Sequence, residues 1–145
     1  QGGMTGDPAV NAFGLAMALK EAGNREEAKR VATEAEALLL KELAKGKLNA
    51  KDYYPTLGML NAVSGKTGEA QAYLNKALVA AANDANAILN LAGLYAQLGQ
   101  VEQAVGLLKK ALDKGYTDPF FPVILPDYLP IRKDPGFRAL FKLGN

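Results

Sequence analysis

The sequence predicts an all-α solenoid of three antiparallel helical hairpins, closed by a capping segment that carries one short helix. Three observations predict it. A pattern of 34 residues recurs along the chain, apolar residues keep helical spacing on both sides of a fixed glycine, and prolines gather beyond the last recurrence.

Aligning residues 51–84 with residues 85–118 exposes the recurrence. Ten positions are identical, among them Leu57 with Leu91, Gly65 with Gly99, Ala70 with Ala104 and Leu74 with Leu108, which is too many at one shift for unrelated segments. Each unit divides at its glycine. Ile88, Leu91, Ala92 and Tyr95 lie on one face of a first helix, and Ala104, Leu108, Ala111 and Leu112 on one face of a second. Gly65 and Gly99 fall where the first helix ends and the chain reverses, a left-handed position that glycine takes at least cost. Gly58 or Ala92, set against Ala70 or Ala104, lets the two helix backbones approach closely.

These residues resemble the tetratricopeptide repeat. Its 34-residue unit sets a large residue, Leu, Gly or Ala, and Tyr on the first helix, and Ala, an aromatic or Leu, and Ala on the second. The pattern falls on Ile88, Leu91, Ala92, Tyr95, Ala104, Leu108 and Ala111 in one unit, and on Tyr54, Leu57, Gly58, Asn61, Ala70, Leu74 and Ala77 in the other. Asn61 departs from it, and the proline usual near the unit's end is missing from both. The resemblance implies a right-handed superhelix with a concave face lined by the first helices, and a protein or peptide as partner.

A third unit lies upstream, with Gly23 at the turn, Leu15 and Ala16 on the first seam, and Ala28, Ala32 and Ala35 on the second. Gly23 and Gly65 stand 42 residues apart, eight more than the repeat demands, so the second helix of this unit is expected to be prolonged. A helix from Asn24 to Lys45 would reach about 33 Å at 1.5 Å per residue. Its far end should protrude, with Leu38, Leu39 and Leu43 covering a neighbour.

Asp-Pro marks helix starts at Asp7, Asp118 and Asp134, because the carboxylate caps free amides and proline suits the first helical position. Pro55 requires its helix to begin near Asp52. Pro122, Pro126 and Pro130 forbid one continuous helix after the repeats, so short turns and a final helix from Pro135 to about Leu143 are expected there. Phe120, Phe121, Ile124, Leu125, Tyr128, Leu129, Phe137, Leu140 and Phe141 would cover the last apolar face. The stretch "LPIRKDPGFRALF" also resembles the segment that follows terminal repeats in bacterial regulators with an attached effector domain. The domain reading is therefore residues 1–6 as a disordered start or cloning remnant and residues 7–145 as one repeat domain. Its units span about 9–42, with the helix extended to about 48, then 51–84 and 85–118, and a cap covers 119–145.

Composition removes most chemistry. Without cysteine or histidine there are no disulfides, thiolate nucleophiles or imidazole ligands, so neither an enzyme nor a metal or cofactor site is expected. A formal charge of +2 gives no field to attract nucleic acid, and no apolar run reaches the roughly 20 residues of a membrane span. The absence of thiols leaves the compartment open, with the cytoplasm favoured over the periplasm. "SGKTGEA" ends like a phosphate-binding loop, but Leu60 stands where that loop needs glycine and no strand precedes it. Glu26 and Glu27 suit a helix N-terminus, and Lys109, Lys110 and Lys114 a helix C-terminus. Arg132, Lys133, Arg138 and Lys142 make a basic tail that Asp127 and Asp134 interrupt, a pattern of surface solubility.

The expected site is the concave face, reached by first-helix residues that point off the packing seam. These are Val10, Phe13 and Met17 in the first unit, and Asp52, Thr56 and Met59 in the second. The third contributes Asn86, Leu89, Asn90, Gly93 and Gln97. Phe13, Met17, Met59 and Leu89 would give apolar contact, while Asn86, Asn90 and Gln97 would bond a peptide backbone. Some relatives in the resembled family grip a C-terminal carboxylate with basic residues, but the matching positions here carry Phe13, Pro55 and Leu89. The alternative is a structural module that associates with itself or docks a neighbouring domain through the long helix or the aromatic tail.

Overall fold

Asp7 caps the first helix: its side-chain Oδ1 accepts the Ala9 amide at 2.8 Å, and Pro8 opens α1 (Pro8–Glu21). The computed structural model describes residues 7–80, 84–118 and 120–142, with Phe121 as backbone only; the expected start at residues 1–6 lies outside the described residues. α2 (Arg25–Ala44) runs back along α1, and a 3₁₀ turn, Ala50–Tyr53, leads into α3 (Tyr54–Val63), with Pro55 in its first turn. α4 (Thr67–Val79), α5 (Ala85–Gln97) and α6 (Val101–Asp113) follow. The tail consists of α7 (Phe121–Ile124), a 3₁₀ turn, Pro126–Ile131, and α8 (Pro135–Leu140). Among the described residues there is no strand.

The same hydrogen-bond pair closes each hairpin. The amide of Gly99 donates to Ala96 O at 3.0 Å and that of Gln100 to Tyr95 O at 2.9 Å. Gly65 with Lys66 and Gly23 with Asn24 make the equivalent bonds. This six-residue closure satisfies carbonyls that the helix end would otherwise leave open, and it needs φ above zero at the glycine, which is 74° at Gly99 and 87° at Gly65. The three expected turns are therefore present.

The hairpins α1/α2, α3/α4 and α5/α6 stack, because each buries one face internally and one against its neighbour. α3 packs on α2 and α1, and α5 on α3 and α4. Ala16, Ala70, Ala92 and Ala104 are wholly buried, as the close-approach argument requires. Gly58 plays a different part from the one expected. A Cβ there would meet Leu94 Cδ2 at 2.7 Å, so the glycine makes room for the next hairpin and not for its own partner helix. Asn61, the departure from the repeat pattern, is buried and donates to Leu57 O at 2.8 Å and Glu36 Oε2 at 2.9 Å, tying α3 to α2.

Five expectations need correction at the ends of the stack. Leu15 is 53% exposed, although Leu57, its counterpart one hairpin on, is buried: the face of α3 that α2 covers has no covering helix at α1. On the long helix, Leu39 and Leu43 join the core as expected, whereas Leu38 is 66% exposed. In the tail, Tyr128, Phe137 and Phe141 are buried against α5 and α6, but Phe120 and Ile124 face outward. The final helix stops at Leu140, with Asp134 capping it through Phe137 N. Asp118 accepts the Phe120 amide at 2.8 Å but caps no helix, because α7 begins at Phe121 with Phe120 at its cap position and no side-chain cap; Pro119 and Leu143 lie outside the described residues.

Two glycines within helices should respond oppositely to alanine. Gly106 in α6 has no neighbour within 4 Å of a Cβ, so Gly106→Ala should add roughly 0.5–1 kcal/mol of stability from helix propensity alone. Gly58→Ala gains the same propensity but drives a methyl into the buried Leu94, and overpacking of that kind costs about 1–3 kcal/mol. Urea unfolding should therefore place Gly106→Ala above the wild type and Gly58→Ala below it. Asn61→Ala should lower stability by about 1.5–3 kcal/mol, since one of its bonds is to a carboxylate.

Candidate functional site

α1, α3 and α5 lie side by side and form one surface of the stack, and their N-terminal ends open onto a cavity of about 640 Å³. Seven residues expected on the concave face line this cavity: Val10, Phe13, Asp52, Thr56, Met59, Asn86 and Asn90. Phe13, Thr56 and Met59 are buried and form its floor, while Val10, Asp52 and Asn86 are exposed at its edge.

The remaining expected residues do not face open space. Met17 is buried in the core beside Phe13 and Ala16. Gly93, Leu89 and Gln97 are engaged by the chain's own tail, which crosses the C-terminal half of the same surface. Gln97 Nε2 donates to Asp127 O at 2.8 Å, and Tyr128 donates its hydroxyl to Leu89 O at 2.8 Å. Pro126 reaches Gly14 of α1, so the tail spans from α5 across to the first hairpin. Gln97 was expected to bond a peptide backbone. It does so, and the peptide is residues 126–127 of the same chain. Gly93, expected to leave room for a ligand, has Asp127 Oδ2 at 3.0 Å and Met59 Sδ at 3.3 Å from where a Cβ would stand.

The tail thereby ends the groove and turns an open channel into a cavity closed at one side. Asp127 lines that closed side. Its carboxyl is held above the ordinary carboxylate range, chiefly because burial strips away water, with its own backbone amide pulling weakly the other way. Burial likewise pushes the Tyr128 hydroxyl up, so it stays protonated and serves as a donor to Leu89 O. Arg132, expected to be a solubility residue, turns back to donate from Nη2 to Leu125 O at 3.0 Å.

Asp7, Lys51, Tyr53, Asp84 and Asp127 also line the cavity and were not foreseen there. Asp7 is explained in sequence by its cap, which hides its second location. Asp127 did carry a signal. It is the lone charge in the eleven residues from Phe120 to Pro130, and an isolated carboxylate in an apolar run is costly unless it has a task.

Residues 64–119 match the family model of the tetratricopeptide repeat, covering the turn and second helix of one hairpin and the whole of the next. That stretch is similar to the tetratricopeptide repeat. Among curated proteins and among solved structures none matches it. The match leaves α1, α2, α3 and the tail outside; of these, the lengthened α2 and the tail depart from the regular repeat. Among the described residues no helix of this repeat protein is long and apolar enough to cross a membrane.

The raised Asp127 fixes a sign for the pH dependence of stability. A carboxyl that holds its proton more tightly when folded than when unfolded adds stability at low pH and loses it as pH rises through the raised value. Asp127→Asn keeps the shape and removes the desolvated charge. Its thermal midpoint should exceed the wild type's at pH 7.5, and the difference should vanish below the ordinary aspartate value of about 3.9.

Proposed function

We propose that this repeat protein is a non-catalytic scaffold that binds a protein or peptide segment in the cavity where α1, α3 and α5 begin. The supporting observation is the convergence of seven face residues from three hairpins on one cavity of about 640 Å³. That volume lies within the range of sites that enclose several side chains of a ligand. Asn86 and Asn90 stand along it with amides that suit a peptide backbone, and Phe13 and Met59 offer apolar anchorage beneath. Repeat proteins commonly bind along the face of their first helices, and a right-handed superhelix would curve that face around a ligand. The likeness of residues 129–141 to the segment after terminal repeats in bacterial regulators supports a role beside an effector domain.

A second reading has its own observation. Leu38 and Leu40 stand exposed on different sides of the long α2, apolar side chains that self-association or the docking of a neighbouring domain would cover. Sedimentation separates the two: a dimer that Leu38→Glu with Leu40→Lys returns to monomer favours the structural module.

The groove reading is tested with a phage-displayed random peptide pool selected on the intact chain. Asn90→Trp fills the cavity from a partly buried position on α5. Selected peptides should lose at least tenfold in affinity for this variant while its helical circular dichroism stays unchanged. Peptides that bind Asn90→Trp as well as the wild type would overturn the reading.

A further inference from the structure

We propose that the cavity takes a basic peptide segment, one lysine or arginine side chain of which reaches the carboxylate of Asp127. This rests on the groove reading above and adds the chemistry of the ligand. Among the described residues four aspartates line the cavity, Asp7, Asp52, Asp84 and Asp127, against the single cation Lys51. The chain as a whole is positive by two charges, so negative charge is gathered at this one concavity against the general balance. A cleft with low-dielectric walls focuses such a field on what enters it.

The four carboxylates are free to meet a cation. Among the described residues none of them forms an ion pair. Asp7 and Asp84 each cap a helix through Oδ1 alone, at 2.8 Å, which leaves Oδ2 toward solvent or ligand. Asp127 is no cap. It sits at the closed side, shielded from water and packed against Gly93 and Met59, where a desolvated anion without a counter-ion is a standing cost. A cation arriving from the mouth would remove that cost.

The arrangement selects a chain and not an ion. Among the described residues no three acidic side chains lie close enough together to hold a metal. The carboxylates are spread over the starts of α1 and α5, the 3₁₀ turn before α3, and the tail, a spacing that suits successive residues of an extended segment. Phe13, Tyr53 and Met59 beside them offer apolar surface to the aliphatic stem of a lysine or arginine. An acidic segment or a chain-terminal carboxylate would meet like charge at four points.

The test uses peptides from the same random pool, resynthesised and measured by fluorescence polarisation on the intact chain. Lysine and arginine should be enriched, and replacing the key arginine by citrulline, which keeps the shape and loses the charge, should weaken binding at least tenfold. Asp127→Asn should weaken the arginine peptide at least tenfold and the citrulline peptide less than twofold, while the variant unfolds at a higher temperature than the wild type. Asp52→Asn, at an exposed position, supplies the same comparison if Asp127→Asn fails to fold. Peptides that Asn90→Trp excludes but that tolerate citrulline would overturn the basic ligand and leave the groove reading standing. Peptides indifferent to Asn90→Trp, or an empty selection, would overturn both.

Discussion

A pair of antiparallel helices this short cannot hide its apolar surface by itself, and the rest of the structure follows from that constraint. Each hairpin closes one seam inside, where Ala92 and Ala104 let the backbones approach, and leaves another face to the next hairpin. Leu94 reaching into the space left by Gly58 is that second contact at atomic scale. Inside the stack the demand is met from both sides. At the ends it is not, and the irregular features of the chain are found there: Leu15 and Leu38 outward on the first hairpin, Tyr128 and Phe137 folded down on the last.

The interior of the stack was legible because it repeats. Two copies of one pattern define the turn glycines, the alanine seams and the helix order, since each assignment has to be consistent in both units. Leu15 was misread by the same logic, because its counterpart Leu57 is buried only by virtue of α2 lying on it. Asn61 was visible as a departure but not as a bond. Its acceptor Glu36 is 25 residues away on a helix whose register the pattern does not set. The tail was legible as a cap and not as a wall of the groove. Its prolines announce turns, but whether turns rest on the end of the stack or cross its concave surface depends on contacts such as Tyr128 to Leu89 O, which have no sequence period.

The tail also changes what the concave face can receive. An open groove admits a ligand of any length, lying along all three hairpins. With Gln97 and Leu89 already bonded to the tail, only the half at the helix starts is free, and entry is from one side. Displacing the tail would expose Tyr128 and Ile131, each a fully buried side chain contributing about 1.5–3 kcal/mol, a cost that a ligand lying along the whole face would have to offset. The specificity of the site then comes as much from the tail as from the repeats.

Asp127 is where these strands of argument meet. For stability alone, an uncharged residue would serve better between Pro126 and Tyr128, since the carboxylate gives up its water for no counter-ion and only a weak bond to its own backbone amide. Its neighbours confirm how tightly the place is defined: Gly93 has no side chain where the carboxylate lies, and Gln97 holds the carbonyl of the same residue. The cost of the desolvated carboxylate is relieved by protonation or by a counter-charge. The repeat supplies the scaffold and leaves the ligand open, and a counter-charge for Asp127 is what the proposed basic segment would add.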